Sequence, residues 1–210
     1  MKLFLFGWAE LEKDHLVPQL KLMEQVIKEV NPKQVFHIPF ARSPETEIAR
    51  GKDWFTKNVH LWDIEYLDAR IEEDILKVDN PFVVITGGGN NLNLFEKINW
   101  DKRLLDIVNN ADYIIGESAG AMILWEYFRV KTETWTKLIK AFNILKDTII
   151  EPHYADRNRQ VQLQEEIIEK DVRYWLGIDC VTAIEFDTET FPNNYKKIWI
   201  WNIEIKINWT

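Results

Sequence analysis

The chain has 210 residues, 46 % hydrophobic and 29 % charged, a balance that builds one folded domain over 1–210 around a buried core and argues against disorder. Asp plus Glu outnumber Lys plus Arg by 34 to 26, a formal net charge of −8, and with no basic run this negative field excludes general nucleic-acid binding. The single Cys, Cys180, has no internal disulfide partner, which fits a reducing cytoplasm, and the apolar run before Gly7 is too short for a signal peptide or a membrane span.

Residues 2–6 (KLFLF) predict a first strand ending at Gly7. Leu16, Leu20, Met23, Ile27 and Val30 then recur at helical spacing, with Asp14 as cap and Asn31-Pro32 as stop. A second strand is predicted at 34–39, and a helix after Pro44 with Ile48 and Phe55 inward. A third strand follows at 60–67, a short helix at 70–79, and a fully apolar strand at 81–86 that runs into three glycines. Helical character resumes over 91–110, a brief strand covers 113–115, and AMILWEYF beyond Gly120 reads as helix. Past that point a strand near 147–152, a helix near 157–172 and strands near 181–187 and 196–206 complete the chain. Strand and helix alternate with short connections, the mark of a parallel sheet covered on both faces.

Two glycine-containing turns follow apolar strands. TGGGNN at 86–91 lacks the Gly-Lys-Ser/Thr ending of a phosphate loop and the spaced glycines of a dinucleotide fingerprint. Three consecutive glycines suit a loop whose backbone N–H groups face an anion or oxyanion. Gly116-Glu117-Ser118-Ala119-Gly120 is a strand–nucleophile–helix elbow, in which small neighbours permit the sharp turn that projects the Ser118 hydroxyl. The N–H of Ala119 lies beside any oxyanion that develops there.

A serine nucleophile needs a base. Of His15, His37, His60 and His153, only His153 follows the elbow, directly after the apolar strand of IIEPHY. His15 is expected to be solvated, His37 to lie within a strand and His60 at the start of one. The third member should be a carboxylate that holds the imidazole. AIEFDTETF offers Asp187, with Glu185 and Glu189 on the same strand face as alternatives. An ordinary α/β-hydrolase runs Ser, acid, His. Here no histidine follows His153, so the order Ser118, His153, acid fits a class I glutamine amidotransferase-like sheet with serine in place of its cysteine.

IPFAR at 38–42, ITGGGNNLNLF at 85–95, GESAGAMIL at 116–124 and EPHYADRNRQ at 151–160 together resemble the peptidase E/cyanophycinase family of serine peptidases, from the first strand to about residue 191. The resemblance implies a flavodoxin-like α/β three-layer sandwich with a mostly parallel central sheet, Ser118 as nucleophile and His153 as base. It further implies an oxyanion hole from the backbone N–H groups of Gly88 and Ala119. The family usually places a glutamate near the point where this chain reads FDTET, so Asp187 would be a shorter substitute.

Similar enzymes act on short peptides, dipeptides with N-terminal Asp or aspartate-arginine polymers. Arg157 and Arg159 are candidates to pair with a substrate carboxylate, and Glu117 to read a substrate amine. The reading is a cytoplasmic peptidase, monomer or homodimer, with a small peptide as substrate and no metal, cofactor, membrane or nucleic-acid partner. An esterase or amidase using the same elbow, or a non-catalytic binding protein on the same fold, stays open.

Overall fold

Period-two alternation along the first strand sets the layers of the fold. In β1 (Lys2–Phe6), Phe4 and Phe6 enter one core and Leu3 and Leu5 another. The computed structural model describes residues 1–8, 16–42, 52–131, 136–198 and 203–207. The expected Asp14 cap, His15 and the inward Ile48 lie outside them. After β1 come α1 (Leu16–Val30), β2 (Gln34–Ile38), α2 (Lys52–Asn58), β3 (Glu65–Asp68), α3 (Glu72–Ile75) and β4 (Phe82–Ile85). They are followed by α4 (Asn91–Trp100), α5 (Lys102–Asn110), β5 (Tyr113–Glu117), α6 (Ala119–Met122), β6 (Trp125–Lys131) and β7 (Thr136–Lys140). The remainder is β8 (Leu145–Pro152), α7 (Gln160–Lys170), β9 (Tyr174–Ile178), β10 (Ala183–Asp187), β11 (Tyr195–Lys197) and β12 (Ile203–Ile207).

The central sheet runs β11-β10-β1-β5-β4-β2-β3. β1, β5, β4, β2 and β3 are parallel, β10 is antiparallel to β1, and β11 is antiparallel to β10. This is the mixed α/β fold with a mostly parallel central sheet that the sequence predicts. One face packs Phe4, Phe6, Phe82 and Val84 against Leu20, Met23, Val26 and Ile27 of α1 and Phe55 of α2. The other face packs Leu3, Leu5, Phe36 and Val83 against Leu94 and Ile98 of α4 and Leu104 and Val108 of α5.

The second face also meets a five-stranded sheet, β12-β9-β8-β6-β7, through Trp125, Phe128, Ile150 and Leu176. Its outer face is closed by Leu163 and Ile167 of α7 against Ile149 and Trp175. This sheet corrects the expected long helix after Gly120: only α6 is helical, and WEYFRVK, rich in aromatic and β-branched residues, is strand β6. Strand β9 lies in a stretch that the apolar pattern left without an element. The helix expected over 91–110 is two helices, because the Asp101 side chain accepts from Arg103 N and caps the second.

Candidate active site

The parallel register brings the ends of β1, β5 and β4 to one edge, where Phe6 pairs with Glu117 and Ile85 with Gly116. Ser118 comes next, with φ 49° and ψ −109°, a left-handed conformation strained for a residue with a Cβ. It is held by its own N–H on Phe6 O at 3.0 Å and by Met122 N on its carbonyl at 3.0 Å. Gly120 is required by close approach, since a Cβ there would lie 2.1 Å from Ile85 O. The hydroxyl is therefore turned out of the sheet edge by backbone restraint on both sides.

The second sheet delivers the partner. β8 ends at Pro152, and His153, also left-handed at φ 59°, places Nε2 3.3 Å from Ser118 Oγ, with both residues buried. That is hydrogen-bond reach for a nucleophile and its base. His153 Nδ1 lies 3.5 Å from the thiol Sγ of Cys180, which follows the end of β9 and is 3 % exposed. Two carboxylates hold this pair of turns together. Asp179 accepts from Ala155 N at 2.6 Å, and Asp156 accepts from Cys180 N at 3.0 Å.

The expected acids stand elsewhere. β10 is antiparallel to β1, so Ala183 is level with Phe6 and Asp187 with Lys2, at the opposite end of the sheet. Four residues of strand carry Asp187 about 13 Å from the edge where β10 begins. Its carboxylate accepts from Glu189 N at 2.9 Å and lies 4.0 Å from the terminal amine. Glu185 pairs with Lys2 Nζ at 2.9 Å, and Glu189 is exposed. None of the three is brought to His153. Cys180 is a group that does lie beside Nδ1; by sequence it is only a redox marker, and its signal is its position just after the apolar run WLGI.

The glycine loop lies against the elbow: a Cβ on Gly87 would sit 2.7 Å from Ala119 N. Gly88 has φ +85°, and its carbonyl accepts from Arg42 Nη1 at 3.1 Å. Glu117 does not line the cavity. It is buried, accepting from Gly87 N at 3.2 Å and from Gln19 Nε2 at 3.1 Å.

Ser118 and His153 open into a cavity of 420 Å³, whose wall includes Ala119, Lys131, Arg157 and Arg159. Arg157 is exposed, while Arg159 donates to Gln162 at 2.6 Å and has Nε 3.7 Å from Glu151. Arg129 is also at the wall, but Glu151 at 2.7 Å and Glu166 engage its guanidinium. Burial pushes the Glu151 carboxyl up to about 7 against the pull of Arg129 and Arg159. Among the described residues no group of His, Cys, Asp and Glu has the makings of a metal site, and no helix is long and apolar enough to cross a membrane.

A strained serine at the carboxyl edge of a parallel sheet, with a histidine within hydrogen-bond reach and a glycine loop against it, forms a nucleophile elbow of the serine-hydrolase kind. The sequence model of Peptidase family S51 matches residues 3–193, so the chain belongs to that family and is a serine-type peptidase. Its fold is similar to that of a peptidase from an acI-B1 Actinobacterium, at TM-score 0.60 and 19 % identity over 88 % of this chain and 82 % of that one. It is also similar to a protein described as a peptidase E from Listeria monocytogenes EGD-e, at TM-score 0.56 and 19 % identity over 99 % and 98 %. No curated protein matches the chain significantly.

Of the other histidines, His60 is exposed. His37 is buried in β2, Nδ1 at 2.7 Å from Tyr66 Oη and Nε2 at 2.9 Å from Thr86 Oγ1, directly beneath the glycine loop. Burial lowers its pKa from 6.5 to about 3, so the imidazole is neutral in the folded chain. Between those values the unfolded chain binds the extra proton. Stability from this group is thus complete above about 6.5 and falls with pH below it, by about 1.4 kcal/mol per unit at most. Urea denaturation at about pH 5 and pH 7 should show a steeper pH dependence for the wild type than for His37→Gln; equal slopes contradict a neutral buried imidazole.

Proposed function

We propose that this peptidase hydrolyses short peptides, chiefly dipeptides and with a preference for N-terminal Asp, through an acyl-enzyme on Ser118. One observation carries the reading: Ser118 Oγ stands 3.3 Å from His153 Nε2 at the mouth of a cavity of 420 Å³. Ser118 Oγ attacks the scissile carbonyl carbon and its proton passes to His153 Nε2. The tetrahedral oxyanion is held by the N–H groups of Gly88 and Ala119. Collapse breaks the C–N bond as His153 returns the proton to the leaving amine. Water, deprotonated by His153, then attacks the acyl carbon, the C–Oγ bond breaks, and His153 returns the proton to Ser118 Oγ as the carboxylic acid leaves.

Substrate preference rests on the wall. Lys131, Arg157 and Arg159 set cations beside the nucleophile in a chain of net charge −8, so attraction for a carboxylate is local. That supports a small peptide bearing an acidic side chain or its own terminal carboxylate. Hydrolysis of a panel of Asp-X, Ala-X and Arg-X dipeptides, followed by amine release, should rank Asp-X first. Ser118→Ala should lower kcat/KM by about 10³-fold or more; cleavage that persists in the variant refutes the assignment.

Cys180 gives a second test. A thiol carries no fixed negative charge, so Cys180 itself adds none to hold the imidazolium formed in the transition state. An Asp at this position reaches further toward Nδ1 and supplies that charge. Cys180→Asp is expected to raise kcat/KM about tenfold, measured on the best dipeptide. A folded variant slower than the wild type contradicts the reading that a charge at position 180 would support His153.

A further inference from the structure

Glu117 is a buried carboxylate adjacent to the nucleophile, and it faces away from the cavity. It is 6 % exposed, and the residues around the cavity include its neighbours Ser118 and Ala119 but not Glu117 itself. A substrate amine has no access to it. A buried negative charge next to a developing oxyanion opposes that oxyanion unless it is committed to other groups. Here Oε2 accepts from Gly87 N at 3.2 Å and Oε1 from Nε2 of Gln19, itself fully buried in α1, at 3.1 Å.

We infer that Glu117 is a positioning residue for the oxyanion hole: its carboxylate fixes the Gly87 N–H, which sets the turn of the glycine loop whose Gly88 N–H the proposed mechanism uses as a donor. The loop has further anchors, Arg42 on Gly88 O at 3.1 Å and Asn90 N on Ala41 O at 2.5 Å. Of these anchors, only the Glu117 bond ties the loop to the strand that carries the nucleophile. The contact is close, since a Cβ on Gly87 would lie 2.2 Å from Glu117 O and 2.8 Å from Ser118 Cβ. Loop and elbow therefore keep one spacing, and the side chain of Glu117 is the polar latch across it. The inference rests on the serine-hydrolase reading and extends it to a residue that touches no substrate.

The test uses the purified full chain and a biotinylated alkyl fluorophosphonate, which needs no knowledge of the peptide. Ser118 Oγ attacks phosphorus, the P–F bond breaks with loss of fluoride, and the proton passes to His153 Nε2. The phosphoryl oxygen uses the same oxyanion donors as a peptide carbonyl. Glu117→Ala should label about 10²-fold more slowly than the wild type, the scale of one lost oxyanion donor. Glu117→Gln, which keeps an oxygen for Gly87 N–H, should recover to within about fivefold of the wild-type rate. On the best dipeptide the alanine variant should lose kcat with KM little changed.

A purely structural role would lower thermal stability without this split. If the alanine variant does not fold, Glu117→Met removes the acceptor while keeping side-chain volume and takes its place. Wild-type labelling rates in Glu117→Ala or Glu117→Met overturn the inference and leave the hydrolase reading standing. A Gln variant no faster than the Ala variant also overturns the inference. A wild-type chain that the probe does not label at Ser118 overturns the hydrolase reading and the inference with it.

Discussion

The site depends on the parallel register by which β1, β5 and β4 end side by side. That register puts Ser118 N on Phe6 O and presses Gly87 and Gly120 onto neighbouring backbone, so the serine is held at φ 49° by contacts it cannot relax. Strain of this kind persists only where the surroundings over-determine it. Here two layers of apolar packing do so: Phe4, Phe6, Val84 and Ile115 on one face, Leu3, Leu5, Ile85 and Ile114 on the other. The strands alternate in period two, and their burial on both faces makes the edge rigid.

The second sheet completes the chemistry by the same logic. β8 and β9 are parallel, with Pro152 opposite Ile178, so the turns after them emerge together. One carries His153 and the other Asp179 and Cys180, and reciprocal carboxylate-to-amide bonds lock them. The junction with β1 is equally tight: Gly7 N donates to Thr182 O at 3.0 Å and Val181 N to Trp8 O at 2.8 Å. Nucleophile and base thus come from different sheets, and the packing of those sheets against each other sets the distance between them. Arg129, Lys131, Arg157 and Arg159 all reach the cavity wall, where Glu151 engages Arg129 and Arg159, so cationic groups gather at this site on an acidic chain.

Local pattern was legible in the sequence; strand direction was not. KLFLF, PFVVIT and the glycine triplet announce strand ends and a loop by composition and punctuation within a few residues. GESAG and IIEPHY mark Ser118 and His153 because each follows an apolar strand, although those two strands belong to different sheets, which neither motif states. The acid failed for the complementary reason. AIEFDTETF reads as a strand, but nothing within it states that β10 runs antiparallel to β1, which carries Asp187 away from the site instead of toward it. Asp179 and Cys180, a few residues before that stretch, are the residues the topology delivers. The alternation rule would have turned Glu117 away from the cavity had its strand been extended past Ile115, and WEYFRVK was misread because the helix begun at Ala119 stops after four residues.

Trapping the acyl-enzyme tests the account most directly. The wild-type chain, mixed with an activated ester of a short acyl group and acid-quenched, is digested and mapped by mass spectrometry. The acyl group is predicted on Ser118, and its accumulation is predicted to vanish in His153→Ala. An acyl group on another residue, or equal acylation of Ser118 without His153, would contradict the pairing of these two side chains on which the mechanism rests.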